Sequence, residues 1–430
     1  MTYLCITPYF PSATSVIGPF IYDQVRAIER TGSFERVLVL KPCPWYCLRL
    51  EYEYDGITVH LFRSFQLPSK ILPDVFNSLN AFFFFRRLKQ VGITCKTVTV
   101  AHLHTSPLAK YGAWLKRRCA DCRIWVQHHD LDPLLIRMGC LRSFRWHQRL
   151  AVRKRLAYLG EMDIQICVSD IGLRQLQAFP ASVLTSFPHY LGLLKLYQDF
   201  PQVRIKEAYV LRNGADPRKF YPARQSATNK REDEEASRER PFRIGCVAAF
   251  NEWKGQLTLI QAAEMLLKRA TEKRPGAAGD LEVILIGQGP GLAACRAYVS
   301  EHQLERQIRF ESLRDHRALL AFYQSLDLFV LPSFFETFAC VYLEAYACGV
   351  PFICCKGQGN AESIPAQDAE RWTIEPGDYQ GLAARIEAFR EKRYPQTLTH
   401  AVDIDVLVRA FLAEKAGVRS GMECGDLAPL

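Results

Sequence analysis

Short runs of apolar, often β-branched residues alternate along the chain with longer stretches whose apolar positions recur every three or four residues. The first half predicts strands at Tyr3–Thr7, Val37–Leu40, Thr97–Ala101, Arg123–Gln127, Ile164–Ser169 and Ala208–Leu211, with helices at Phe20–Arg30 and Leu108–Lys116. This alternation is the mark of βαβ units, in which helices cover a parallel sheet. Residues 223–241 break the pattern: almost nothing between Ala223 and Pro241 can be buried, so a solvated linker is expected. Alternation then resumes. Strands are predicted at Arg243–Ala248, Glu282–Ile286, Ile308–Phe310, Leu328–Leu331 and Pro351–Cys355, and helices at Leu257–Arg269, Leu292–Glu301, Arg317–Gln324 and Thr337–Ala347. The expectation is an α/β protein of two facing Rossmann-like domains, with a ligand cleft between them at the C-terminal ends of the strands. The expected boundaries are 1–212 for the first domain, 213–241 for a crossing and charged linker, 242–400 for the second domain, and 401–430 for a C-terminal helix and tail able to cross back to the first.

Composition narrows this picture. A chain of 430 residues that is 49% hydrophobic and 12% aromatic can bury two or three cores, which excludes a small disulfide-stapled module and wholesale disorder. The formal charge of +10 calls for an anionic partner: nucleic acid, a phosphorylated small molecule or an acidic membrane surface. The surplus is one-sided. Residues 1–220 carry 30 Lys/Arg against 16 Asp/Glu, whereas the remainder carries 25 against 29. Fifteen cysteines, an odd number scattered through apolar runs such as Phe352-Ile353-Cys354-Cys355, read as small hydrophobes in a reducing cytosol. Cys119-x-x-Cys122 alone has metal or redox spacing. The first residues lack a basic leader, and no run approaches the ~18 uncharged apolar residues of a spanning helix, so a cytoplasmic protein, soluble or resting on a membrane, is expected.

The segment from Leu331 to Pro351 carries the densest chemistry. With a helix starting at Thr337, Glu336 sits at its N-terminus and Glu344 two turns on, and eight residues at 100° each bring the two carboxylates within about 80° of one another. Amides of the first turn, around Phe338 to Cys340, would form an anion site suited to a diphosphate, and a nearby carboxylate can accept hydrogen bonds from vicinal hydroxyls. Together these suggest a nucleotide-sugar. A capped core helix would place the same residues without any ligand.

This stretch, followed by Gly349-Val350-Pro351, Lys356-Gly357-Gln358-Gly359-Asn360 and Glu362, resembles the Glu-x7-Glu donor-site signature of family 4 glycosyltransferases with the B-type fold. Other motifs agree in order. Arg212-Asn213-Gly214-Ala215-Asp216 resembles the family's Asn-Gly-Val-Asp segment at the interdomain crossing, Phe250-Asn-Glu-Trp-Lys254-Gly255 its Lys-Gly loop, and Ile286-Gly287-Gln-Gly289-Pro its Gly-x-Gly turn. The resemblance implies that the first domain binds the acceptor and the second the nucleotide-sugar. It implies that Lys254 meets the diphosphate, Glu344 the ribose hydroxyls and Glu336 the donor sugar. Gly255, Gly287, Thr337, Phe338, Ala339 and Cys340 would then line the donor site. It further implies transfer with retention, a UDP- or GDP-sugar as co-substrate, no metal and no other cofactor. Two departures are visible: Ala249 stands where the family usually has an Arg on the diphosphate, and Ala339 where Gly is common. Arg314 and Lys356 are candidate replacements for the missing cation.

In the first half, Trp125-Val-Gln-His128-His129-Asp130-Leu-Asp132 resembles the family's Thr-x-His-Gly-x-Asp, which makes His129 a candidate catalytic residue oriented by the neighbouring carboxylate. His128 takes that role if the register is off by one. Gly18 opens the first helix in a loop that the family uses for phosphate or acceptor, and reads equally as a turn glycine. His102-x-His104 falls on the acceptor side; a metal there needs a third ligand, which the sequence does not identify. Two segments join aromatic to basic residues, Phe76–Lys89 and Arg137–Arg155, and suit an anionic membrane surface, although a core helix and a solvated face would read the same way. The expectation is therefore a hexosyl-type glycosyltransferase acting on a lipid-linked or cell-surface glycan such as lipopolysaccharide or capsule, peripheral on the inner face of the plasma membrane. The alternatives are a non-catalytic nucleotide-sugar-binding protein of the same fold and, with less support, a basic nucleic-acid-binding protein.

Overall fold

The computed structural model describes residues 1–15, 17–65, 74–130, 132, 134, 145–179, 197–223, 240–273, 280–312 and 316–415. The charged stretch 224–239, Arg137, Arg142, Arg314 and the tail beyond residue 415 lie outside them. The chain divides into two compact units, one comprising Met1–Asn213 and the segment from Ile404 onward, the other Gly214–Asp403.

Unit 1 contains β1 (Thr2–Ile6), α1 (Pro19–Arg30), β2 (Arg36–Pro44), β3 (Glu51–Tyr54), β4 (Ile57–Ser64), α2 (Asn77–Gln90) and β5 (Val98–His104). It continues with α3 (Ala109–Arg118), β6 (Arg123–His128), α4 (Trp146–Glu161), β7 (Ile164–Cys167), α5 (Asp170–Ala178) and β8 (Ala208–Val210). The strands form one sheet in the order β3-β4-β2-β1-β5-β6-β7-β8, parallel except for the β3–β4 hairpin. That hairpin turns on Asp55-Gly56, both at positive φ, as a tight two-residue turn requires. β1 is buried along its whole length and pairs with β2 on one side and β5 on the other. Strand order therefore reverses at β1, and the loops leaving β1 and β5 part at the C-terminal edge, where such sheets hold ligands.

Unit 2 contains β9 (Phe242–Val247), α6 (Gln256–Lys273), β10 (Leu281–Ile286), α7 (Leu292–Glu301), β11 (Ile308–Glu311) and α8 (His316–Gln324). β12 (Leu328–Val330), α9 (Cys340–Ala347), β13 (Phe352–Cys355), α10 (Ala369–Trp372), β14 (Thr373–Ile374) and α11 (Tyr379–Glu391) complete it. The sheet order is β11-β10-β9-β12-β13-β14, all parallel, with the reversal at β9. Both units are thus Rossmann-like, and the protein has an α/β fold.

The last described helix, α12 (Ile404–Lys415), belongs to unit 1 and packs on α1. Its Phe411 is fully buried, 5.0 Å from the Trp125 ring and 4.9 Å from Tyr209. Arg30 of α1 reaches both carboxylate oxygens of Asp405, at 2.9 and 3.1 Å from Nε.

Two expectations are corrected. Cys119, expected as a free thiol, is disulfide-bonded to Cys95, and Cys122 is a free buried thiol. The pair runs against a reducing environment for those two residues. The helix expected from Thr337 begins only at Cys340, for a reason that belongs to the site.

Candidate functional site

In unit 2 the loops leaving β9, β10, β12 and β13 are laced together at the C-terminal edge of the sheet. After β9, the Phe250 amide donates to Gln288 O (2.9 Å) and its carbonyl accepts from the Gly291 amide (2.8 Å). This close approach needs glycine. A Cβ on Gly287 would lie 2.0 Å from Ala248 O, and one on Gly289 2.4 Å from Phe250 O. The chain then makes a 3₁₀ turn, Glu252–Lys254, ended by Gly255 at φ 69°, where a Cβ would lie 2.0 Å from the Pro332 carbonyl oxygen. The Phe334 amide donates to Trp253 O at 2.7 Å, so the Lys254-Gly255 turn is fastened to the loop that follows β12.

That fastening sets the chemistry. The Lys254 ammonium forms an ion pair with Glu336 Oε1, which also accepts from the Ser333 hydroxyl at 2.8 Å. Glu336 is 9% exposed, so the carboxylate is nearly enclosed with its cation. From beyond β13, the Gln358 side-chain amide donates to Ser333 O, and the Gly359 amide to Glu336 O at 3.2 Å. Asn360, fully buried, takes the Ala339 amide on Oδ1 (2.7 Å) and gives Nδ2 to Ala339 O (3.0 Å).

Asn360 explains the late helix start. It holds Ala339 extended (φ −79°, ψ 129°), so Ala339 becomes the N-cap of α9 and residues 336–338 form a loop. The expected geometry is thereby revised: Glu336 and Glu344 do not share one helix face, and the Ala339 amide serves Asn360. Glu344 lies in α9, where Oε2 accepts from Tyr323 Oη at 2.8 Å; burial, then the carboxylate itself, pushes the Tyr323 phenol well up. Thr337 and Phe338 are buried in the loop, and Cys340 is the first helical residue. Ser333, Gln358, Asn360 and Tyr323 had no role assigned from sequence. The Gly-Gln-Gly-Asn run pointed only to Gln358 and Asn360.

Unit 1 gathers its histidines at the β5 and β6 ends. His129 Nε2 lies 3.0 Å from His104 Nδ1, and the two rings stack at 5.3 Å. His104 stacks on His102 at 4.4 Å, and His102 Nδ1 meets the Tyr3 hydroxyl at 2.6 Å. Burial lowers all three first: His102 to about 3 with repulsion from His129, His104 well below the usual imidazole value with repulsion from His102 and His129, and His129 to about 3 with repulsion from His128. At neutral pH these are neutral imidazoles, so one ring of the His104–His129 pair donates N–H to a lone pair of the other. His129 is half-buried overall, but its Nδ1 is enclosed without a partner among the described residues.

The carboxylate expected to orient His129 is engaged elsewhere. Asp132 accepts from Tyr197 Oη (3.2 Å) and the Leu134 amide (2.9 Å), and burial, then Asp130, raises it to about 7. His128 lies on the other side, 3.2 Å from Gln165. Gly18 precedes α1 at φ 86°, and a Cβ there would meet the Tyr9 backbone at 2.8 Å. Among the described residues, no group of three or more His, Cys, Asp or Glu is placed to hold a metal ion.

The unit 2 site thus combines one cation, one enclosed and one half-buried carboxylate, and the start of α9. It can meet a ligand that carries both phosphate and hydroxyl groups. The mostly parallel sheets of the two units make a two-domain, doubly Rossmann-like α/β fold. Residues 228–401 match the family described as Glycosyl transferases group 1.

Relatives by sequence include the D-inositol 3-phosphate glycosyltransferase of Corynebacterium jeikeium (strain K411), 30% identical over 151 residues, 34% of this chain and 35% of that one. The putative colanic acid biosynthesis glycosyltransferase WcaL of Escherichia coli (strain K12) is 27% identical over 157 residues, 35% and 36% of the two chains. The match therefore spans about a third of the length of these curated relatives. Two solved structures share the fold over nearly the whole chain. Anabaena Alr3699/HepE in complex with UDP and glucose has a TM-score of 0.63 at 15% identity, covering 97% of this chain and 100% of that one. Sucrose-phosphate synthase from Thermosynechococcus elongatus has a TM-score of 0.62 at 16% identity, covering 95% and 94%.

Proposed function

We propose that the chain is a family 4 glycosyltransferase that moves a hexosyl group from a UDP- or GDP-sugar to a lipid-linked or cell-surface glycan, with retention and without metal or other cofactor. The observation that carries this reading is the Lys254–Glu336 pair held where four strand-end loops meet, beside the start of α9. In this reading the Lys254 ammonium moves onto the diphosphate as the bond to the anomeric carbon lengthens, where a fixed positive group lowers the barrier. The α9 start shares that charge. Glu344 receives the ribose hydroxyls and Glu336 lies beside the sugar, and His129 is the candidate catalytic residue of unit 1. The new glycosidic bond forms on the face the diphosphate leaves, and the departing phosphate oxygen takes the acceptor's proton, so no protein base is assigned. Gly18 lets the loop after β1 approach the acceptor.

Thermal melts with a panel of UDP- and GDP-sugars, followed by hydrolysis assays on the wild type and Glu336→Ala, test this. A true donor at 100 times its Kd stabilises by about 2.7 kcal/mol. It should also be hydrolysed slowly by the wild type and not by the variant. Stabilisation without turnover, in keeping with Ala249 in place of the second cation, would favour the non-catalytic reading. A panel that neither stabilises nor turns over would end both.

A further inference from the structure

Helices α2 and α3 of unit 1 present a face that the proposed chemistry does not use. Between them lies an open groove of about 800 Å³ with Phe82, Phe85 and Trp114 on its floor. Arg86, Lys89, Arg117 and Arg118 line the same groove, and no carboxylate does so among the described residues. The aromatic run in α2 is divided between two surroundings. Phe84 is fully buried against Phe62 and Tyr111, whereas Phe82 is 56% exposed. The exposed side continues outward: Phe82 packs on Phe83, Phe83 stacks on Phe65, and Phe65 stacks on Trp45, beside exposed Tyr46 and Leu48 in the β2–β3 loop.

The cations are arranged to complement this ridge. Arg118 Cζ lies over the Phe85 ring, 4.1 Å from its centroid, and Arg117 is held by Glu161. Arg86 and Lys89 are exposed and meet no carboxylate among the described residues. We propose that this face docks on an anionic phospholipid bilayer, its rings entering the boundary between headgroups and acyl chains while Arg86, Lys89 and Arg118 meet lipid phosphates. Aromatic rings favour that boundary, and basic residues beside them add attraction to acidic lipids. A nucleic acid would account for the cations but not for Leu48 and Phe82 standing in water next to them. An apolar peptide would account for the rings but not for Arg86, Lys89 and Arg118 beside them. The inference stands independently of whether the chain transfers a sugar.

The test is co-sedimentation of the full chain with vesicles of phosphatidylcholine alone and of phosphatidylcholine mixed with phosphatidylglycerol. Binding is expected only to the mixed vesicles and should fall as salt rises. Each basic residue near an acidic surface contributes about 1 kcal/mol, roughly fivefold in partition, so Arg86→Ser with Lys89→Ser should weaken binding about 25-fold. Phe82→Ser should weaken it several-fold and leave the salt dependence unchanged. All three side chains are exposed, and unchanged melting of the variants would show that the fold is intact. Equal partition into both vesicles, no partition, or variants that bind like the wild type would overturn the proposal. So would an RNA homopolymer that displaces the vesicles and binds Phe82→Ser undiminished, which would assign the face to nucleic acid.

Discussion

Replacing Lys254 by Met removes the ammonium while keeping the reach of the side chain, and it separates two contributions of the Lys254–Glu336 pair. Stranding a fully buried carboxylate costs about 3–5 kcal/mol. Here Ser333 still donates to the same oxygen, and the two side chains keep 20% and 10% of their exposure. We therefore expect a loss of about 1–2 kcal/mol, a fall of roughly 2–8 °C in the Tm of a unit this size. Turnover should suffer far more, because removing one preorganised donor to a developing anion costs about 10²–10³ in kcat. Adding Glu336→Gln to Lys254→Met removes the stranded charge, so the melting temperature should return to within about 0.5 kcal/mol of wild type while turnover stays low. The assay is single-turnover hydrolysis of the stabilising nucleotide-sugar, read beside thermal melts of the wild type, Lys254→Met, Glu336→Gln and the double variant. Turnover that recovers together with the melting temperature would refute the reasoning, since Lys254 would then act only by neutralising Glu336. So would a Lys254→Met protein that binds its donor and turns it over at the wild-type rate.

Phe411→Ala should destabilise unit 1 by about 3–5 kcal/mol through a cavity against Trp125 and Tyr209, lowering the Tm by roughly 6–20 °C in differential scanning calorimetry. Gly255→Ala places a Cβ against the Pro332 carbonyl in left-handed backbone; we expect it to displace Lys254 and weaken donor binding at least about tenfold by titration calorimetry, and wild-type affinity would show that this turn does not set the ammonium. The pH profile of unit 1 stability should combine two opposing slopes. His102 and His129, held near 3 when folded, take up protons more readily in the unfolded chain, so their contribution is lost as pH falls from about 6.5 toward 3. Asp132, raised to about 7, holds its proton more tightly when folded, so stability is lost as pH rises from about 4 to 7. Asp132→Asn should remove the second slope and leave stability rising more steeply with pH between about 4 and 7 in denaturant titrations.

What could be read from the sequence follows the range of the forces involved. The parallel strands are short apolar runs because both faces of each sheet are covered, and that local pattern sufficed for two Rossmann-like units. The β3–β4 hairpin turns on Asp55-Gly56, yet Glu51-Tyr-Glu-Tyr carries too little apolar weight to stand out as a strand. The start of α9 was not readable. Its delay is imposed by Asn360, 21 residues later, which captures both backbone groups of Ala339. Cys95 and Cys119 are likewise joined by folding across 24 residues, a separation that no local spacing announces. The His104–His129 contact bridges two adjacent strand ends, so neither residue's own neighbourhood announces it.

The return of α12 to unit 1 orders events during synthesis. The ribosome completes Gly214–Asp403 before it makes Ile404–Lys415, so unit 2 has its whole sequence while unit 1 still lacks Phe411 from beside Trp125. Domains fold as units as they emerge. The unit that is translated first is therefore completed only after the sequence of unit 2 has been made, and the surface α12 will cover on α1, β6 and β8 stays open until Lys415 has emerged.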